Sequence, residues 1–155
     1  MPKLDLDAIP QTNATGYPAP FDEPVQGRLY RRLAPASGLG SLRASHVVLK
    51  PGAWSSQRHW HRAIDELLVM VAGEAVLIDD AGEQVIRPGD VIAWPAGVAN
   101  GHHLQNRSGS DCVFVVAAAG DYDADSGEYP DIDMVFESGG YYTNGGTRYE
   151  TDRIS

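Results

Sequence analysis

A single cysteine, Cys112, stands among the 155 residues, so no internal disulfide is available to hold the fold. A lone thiol suits a reducing compartment. Cys112 begins the apolar run Cys112–Ala119, which reads as a buried strand rather than the setting of a reactive thiol. Long apolar runs are also missing: none approaches the roughly 20 residues a membrane-spanning helix requires. No basic block occurs, and the net charge is −9. Phosphate backbones and anionic lipid surfaces are held by clustered Lys and Arg, so neither nucleic acid nor membrane is an expected partner. The opening Met-Pro-Lys-Leu-Asp-Leu-Asp has neither the basic start nor the apolar centre of a secretory signal. A cytoplasmic protein is the expectation. Three enzyme signatures are absent as well: a nucleophile turn with its Ser-His-Asp grouping, a phosphate-binding glycine loop and a dinucleotide fingerprint.

The length suits one domain with one hydrophobic core. Residues 1–27 hold Pro2, Pro10, Pro18, Pro20 and Pro24 and read as an extended arm. Leu4, Leu6, Ile9, Tyr17 and Phe21 could anchor that arm on the domain or on a second subunit. From Arg28 the chain breaks into short runs rich in Val, Ile and aromatics, separated by Gly, Pro, Asp and Ser. Expected strands are 28–33, 42–49, 57–61, 66–72, 74–79, 83–87, 91–94, 101–106 and 112–118. No window keeps helical periodicity over three turns. Many short strands at even spacing predict an all-β sandwich or barrel over 28–120. Residues 121–155, rich in Asp, Gly and Tyr, suggest one edge strand around 132–136 and an irregular tail.

Four of the five histidines fall in two clusters. In a strand, residues i and i+2 share a face, so His59 and His61 point one way and Trp60 the other. Glu66 follows after a short turn. Two imidazoles and a carboxylate on neighbouring strands suit Zn, Fe, Mn, Ni or Cu. His102-His103 forms the second cluster, and alternation allows only one of that pair to face inward. His46, alone on its strand, reads as a satisfied polar residue. Parity with His59 makes Ser55 and Gln57 pocket candidates. Trp94 and Asn106 are added as pocket candidates, and Trp54 and Tyr30 as further aromatics. Arg58 and Arg87 read as solvated.

Pro51-Gly52, His59-Trp60-His61, Glu66 and Gly73 resemble the first signature motif of the cupin superfamily. Gly89, Pro95, Gly97, His102 and Asn106 resemble the second. The stretch from Gly52 to His59 is one residue longer than the common pattern, and Asn100 stands where the second motif normally has its histidine. A two-residue insertion at Asn100-Gly101, an easy turn dipeptide, restores the spacing and makes His102 the fourth ligand, with His103 facing away. The flanks look like a subgroup of small single-domain bacterial cupins.

The resemblance implies a double-stranded β-helix (jelly-roll) barrel and one divalent transition metal on His59, His61, Glu66 and His102. It also implies a small-molecule substrate, and a homodimer is plausible because edge-strand pairing hides exposed backbone groups. Cupins carry out several chemistries, so fold and ligands do not choose among them. Proton transfer on a small sugar- or carboxylate-like substrate, as in an isomerase, epimerase or lyase, is the leading expectation. A metal-dependent dioxygenase and a non-catalytic binding protein are the alternatives.

Overall fold

The computed structural model describes residues 2–151. Among them are twelve strands, one short α-helix and two 3-10 turns of helix (Leu6–Ala8 and Glu23–Val25): β1 (Arg28–Arg32), α1 (Leu33–Ser37), β2 (Arg43–Leu49), β3 (Trp60–His61), β4 (Ile64–Ala72), β5 (Ala75–Asp79), β6 (Gly82–Ile86), β7 (Val91–Trp94), β8 (His103–Gln105), β9 (Cys112–Gly120), β10 (Gly127–Tyr129), β11 (Met134–Glu137) and β12 (Gly140–Tyr142). Every paired strand is antiparallel. Three sheets result, ordered β1-β2-β9-β4-β7, β6-β5-β8 and β12-β11-β10-β3. The architecture is all-β, a jelly roll with almost no helix. No helix among the described residues is long and apolar enough to cross a membrane.

Period-two alternation sorts the strands into an inner and an outer face. On β4, Leu68 and Met70 are buried while Leu67 and Val71 lie exposed. Leu49, Leu77, Ile86, Leu104 and Phe114 join Leu68 and Met70 in one core shared by the five- and three-stranded sheets. Cys112 is fully buried in it, and burial pushes its thiol up to about 11.

The first expected strand ends one residue early, because Leu33–Ser37 turns into a helix closed by Gly38 at φ 76°. Pro35 is accepted there because the first helical turn leaves its N–H groups unpaired in any case.

The arm lies on its own barrel. Thr12 exchanges backbone hydrogen bonds with Tyr30 at 3.0 and 2.9 Å, Arg31 Nε donates to the Ile9 carbonyl at 3.1 Å, and the Trp54 amide donates to the Pro24 carbonyl at 2.8 Å. The tail differs from expectation. It carries three strands rather than one edge strand, and β10 pairs with β3, the short strand of His61. Gly127 makes this pairing possible, since a Cβ there would collide with the Trp60 carbonyl and the Phe136 ring. Strands of three or four residues flanked by Asp, Ser and Gly give little periodic signal, which is why two of them escape the sequence reading.

Candidate metal centre

Three chain segments bring the donors together. His59 forms an isolated bridge with His102, with amide-to-carbonyl bonds of 3.3 and 2.9 Å. His61 sits on β3, and Glu66 projects from β4, opposite Trp94 of β7. The donor atoms of His59, His61 and Glu66 lie within 4.8 Å of one another. His59 Nε2 stands 3.2 Å from His61 Nε2, and Glu66 Oε1 stands 3.5 Å from His61 Nε2 and 3.0 Å from His102 Nε2. His102 is outside the three-residue group yet touches its carboxylate.

The opposite ring nitrogens set the chemistry. His59 Nδ1 donates to the Gln57 carbonyl at 2.8 Å, His102 Nδ1 to the Asn100 carbonyl at 2.9 Å, and His61 Nδ1 to Asp125 Oδ2 at 2.6 Å. A carbonyl or carboxylate can only accept, so each Nδ1 carries a proton and each neutral ring keeps its lone pair on Nε2. In the neutral rings three lone pairs and a carboxylate oxygen face one another, and only a proton on His102 Nε2 would make its 3.0 Å approach to Glu66 Oε1 a hydrogen bond. A cation relieves that repulsion. Donors bound to one ion at about 2.1 Å stand about 3.0 Å apart at right angles and about 3.4 Å apart at the tetrahedral angle. The 3.2 and 3.5 Å separations among His59, His61 and Glu66 match that range; His102, 3.0 Å from Glu66, stands outside the group of donors that all lie within 4.8 Å of one another. The donor set fits a divalent transition metal.

Burial holds the His59 imidazole down at about 4, with the Glu66 charge opposing and His61 and His102 assisting. Burial alone would raise the Glu66 carboxyl; the His102 hydrogen bond and the charges of His59, His61 and His102 outweigh it and bring Glu66 to about 2. Both groups thus stand in their metal-binding forms at neutral pH.

A cavity of about 320 Å³ opens on this cluster inside the jelly roll. His59, Glu66, His102, Trp94 and Ser55 line it, with Tyr17 from the arm and Arg28 and Tyr30 from β1. Trp94 lies flat against His102, the rings 3.9 Å apart and 5° from parallel, which fixes the imidazole plane. Ser55 also accepts the Leu104 amide through Oγ at 2.8 Å.

Two pocket candidates are placed elsewhere. Gln57 is buried, but its amide donates to the Phe21 carbonyl at 2.9 Å and ties down the arm. Residues 55–58 are not in a strand, so parity with His59 does not carry to Gln57. Asn106 follows the end of β8 and is fully buried away from this cavity. Its amide donates to the Leu49 and Ser110 carbonyls, and its oxygen accepts from Ser108.

His103 is a further correction. It does not face away: it is buried, lines the same cavity, donates from Nδ1 to the Ser56 carbonyl at 2.8 Å and meets Trp54 edge-on at 4.9 Å. Strict alternation fails there because the chain leaves its bridge to His59 and starts pairing with β5 at that point. His46 also differs from expectation, since its buried Nδ1 has no partner. Arg58 is not simply solvated either: it binds Asp80 at 2.6 Å and Asp131 at 2.9 Å.

The sequence reading missed Asp125. It lies 64 positions beyond His61 in a polar stretch that carries no signal of its own. Its second oxygen accepts the Ala63 amide at 3.0 Å, so both oxygens are used in placing one imidazole. Tyr129 and Phe136, also from the tail, pack their rings 5.6 Å from His59 and 5.1 Å from His61.

Comparison with known proteins agrees with this picture. The family model described as a cupin domain matches residues 45–118. The structure superimposes on a sugar phosphate isomerase from a cupin superfamily from Silicibacter pomeroyi, with TM-score 0.90 and 36% identity over 99% of this chain and 100% of that one. A protein proposed to be a sugar phosphate isomerase from Acidithiobacillus ferrooxidans gives TM-score 0.70 and 22% identity, covering 81% of each chain. A polyketide cyclase from Streptomyces resistomycificus gives TM-score 0.62 and 19% identity over 77% and 79% of the two chains. These last two likenesses concern the fold alone. No curated protein matches the chain.

Proposed function

The chain belongs to the cupin superfamily, and on that premise we propose that it is a metal-dependent enzyme moving a proton on a small oxygenated substrate, sugar- or carboxylate-like, as an isomerase, epimerase or lyase does. The observation that carries this reading is the convergence of three Nε2 atoms and Glu66 Oε1 beside the inner cavity, which His59, Glu66 and His102 line. His59, His61, Glu66 and His102 would hold one divalent ion, of Zn, Fe, Mn, Ni or Cu. Such an ion supplies Lewis acidity, polarising a carbonyl or enolate oxygen.

The protein's own groups do the rest. Asp125 holds His61 in a single tautomer, and the Gln57 and Asn100 carbonyls do the same for His59 and His102. Tyr17, raised by burial to about 12, stays a neutral hydroxyl at neutral pH. Leu68, Leu104, Phe114 and Val116 make one part of the wall apolar, which strengthens the polar contacts beside it. Likeness to a sugar phosphate isomerase along the whole chain supports the choice of proton transfer over dioxygen chemistry.

Two measurements test the reading. Elemental analysis is expected to find close to one transition metal per native chain and little in the His59→Ala/His61→Ala protein. Metal-loaded protein in D2O is expected to place deuterium on the carbon beside the carbonyl of an aldose or ketose, seen by NMR. Dioxygen uptake without exchange would instead identify a dioxygenase, and neither activity would leave a binding protein.

A further inference from the structure

The cavity carries a positive charge that no carboxylate among the described residues pairs. Arg28 lines it. Its Nη1 donates to the Ser55 carbonyl at 2.9 Å, and its Nη2 reaches the Ala14 carbonyl only at 3.5 Å. Its Nε is buried and has no partner. Arg58 is answered by Asp80 and Asp131, Arg62 by Glu128 and Arg107 by Glu83, while Arg32, Arg43 and Arg148, which have no carboxylate partner among the described residues, are exposed to solvent. Among the described residues, no Asp or Glu lies within ion-pair distance of Arg28. Tyr30 lies beside the guanidinium, its ring centre 5.3 Å from the central carbon, and is itself fixed by a 2.8 Å bond from its hydroxyl to the Ala14 carbonyl.

A guanidinium has five N–H groups in a rigid fork, suited to carboxylate or phosphate. Two carbonyls cannot fill that fork or neutralise it. A cation set against Val47, Leu68, Leu104 and Phe114 is costly unless an anion meets it. A divalent ion leaves the chamber net positive even with Glu66 and Asp125 counted. We propose that Arg28 anchors an anionic group of the substrate, a carboxylate or a phosphate, while the substrate's carbonyl end lies at the histidines. This assignment rests on the metal-centred reading of the cavity, and it narrows the substrate class from oxygenated molecules to oxygenated anions.

A mere tether for the arm would need only the bonds to Ala14 and Ser55, and the experiment separates the two roles. Metal-loaded protein is titrated calorimetrically with ribose, ribonate and ribose 5-phosphate, which share a carbon skeleton and differ in charge. The anions are expected to bind about tenfold or more tighter than ribose, and the tighter of the two identifies carboxylate or phosphate. Arg28→Met is expected to bring both down to the ribose level, and Arg28→Lys to keep part of the preference. Arg28→Gln keeps an N–H for Ser55 without the charge, and serves if the methionine variant does not fold.

Elemental analysis checks that each variant holds native metal. Equal or undetectable binding of all three probes by native protein would overturn the assignment. An anion preference that survives in the uncharged variants would do the same. Binding heat requires no turnover, so a failed deuterium exchange with an intact, Arg28-dependent preference counts against the isomerase reading alone.

Discussion

Asp125 Oδ2 accepts the Nδ1 proton of His61 at 2.6 Å across 64 residues of sequence, with only 9% of the Asp125 side chain exposed. The tail thereby decides which nitrogen of a barrel histidine offers its lone pair. Partners of this kind typically contribute about 10–100-fold to metal affinity. Asp125→Asn should keep the fold and lower affinity within that range, read by competition against a chromogenic chelator. Unchanged affinity would reduce Asp125 to a support for the Ala63 amide.

The second histidine cluster yields a pair of opposed outcomes. His102 meets Glu66 at 3.0 Å and lies against Trp94, whereas the His103 ring is held by Ser56 and packs on Trp54. His102→Ala should lower metal content sharply, while His103→Ala should keep it and lose stability instead. Elemental analysis beside a thermal melt reads both. The reverse pattern would transfer the fourth ligand to His103.

Acid should destabilise the metal-free protein in two steps. His59 is held at about 4 against an ordinary 6.5, so from pH 6.5 down to 4 the unfolded chain takes up a proton that the folded chain refuses. Glu66, at about 2 against 4.5, contributes stability above pH 4.5 that is lost as the pH falls toward 2. Melts in chelator should show Tm falling through pH 6.5–4, with a flatter profile for His59→Gln. Parallel profiles would remove His59 as the cause.

Gly127 tests the tail by sterics alone. A methyl group there strikes the Trp60 carbonyl and the Phe136 ring, so Gly127→Ala should lift β10 from β3 and carry Asp125 with it. Lower Tm and weaker metal retention should appear together, while Gly109→Ala, in open space, should match native protein. Native metal retention in Gly127→Ala would show that the centre does not depend on this pairing.

The barrel was legible because alternation and turn residues repeat along it. Leu68 and Met70 fall inside, Leu67 and Val71 outside, as period two requires. His59, His61 and Glu66 were legible from their close spacing in sequence, although β3 and β4 lie in different sheets and His59 stands just before β3. Parity failed wherever the strand did: at Gln57, in a bend, and at His103, where the chain changes partners. Asp125, Tyr129 and Arg28 lay beyond reach for another reason. Their roles depend on contacts between segments far apart in sequence, and no local pattern records those.

The pairing of β10 with β3 has a consequence for how such proteins diverge. The segment that the family model covers, residues 45–118, contains the four proposed ligands but neither Arg28, Tyr17 nor Asp125. The four proposed ligands and the proposed anion anchor Arg28 would thus lie in separate stretches of the chain, while Asp125 ties the tail to His61. Exchanging the arm with a relative's would change the wall at Tyr17 and leave the four ligands in place, whereas exchanging the tail would reach the floor through Asp125.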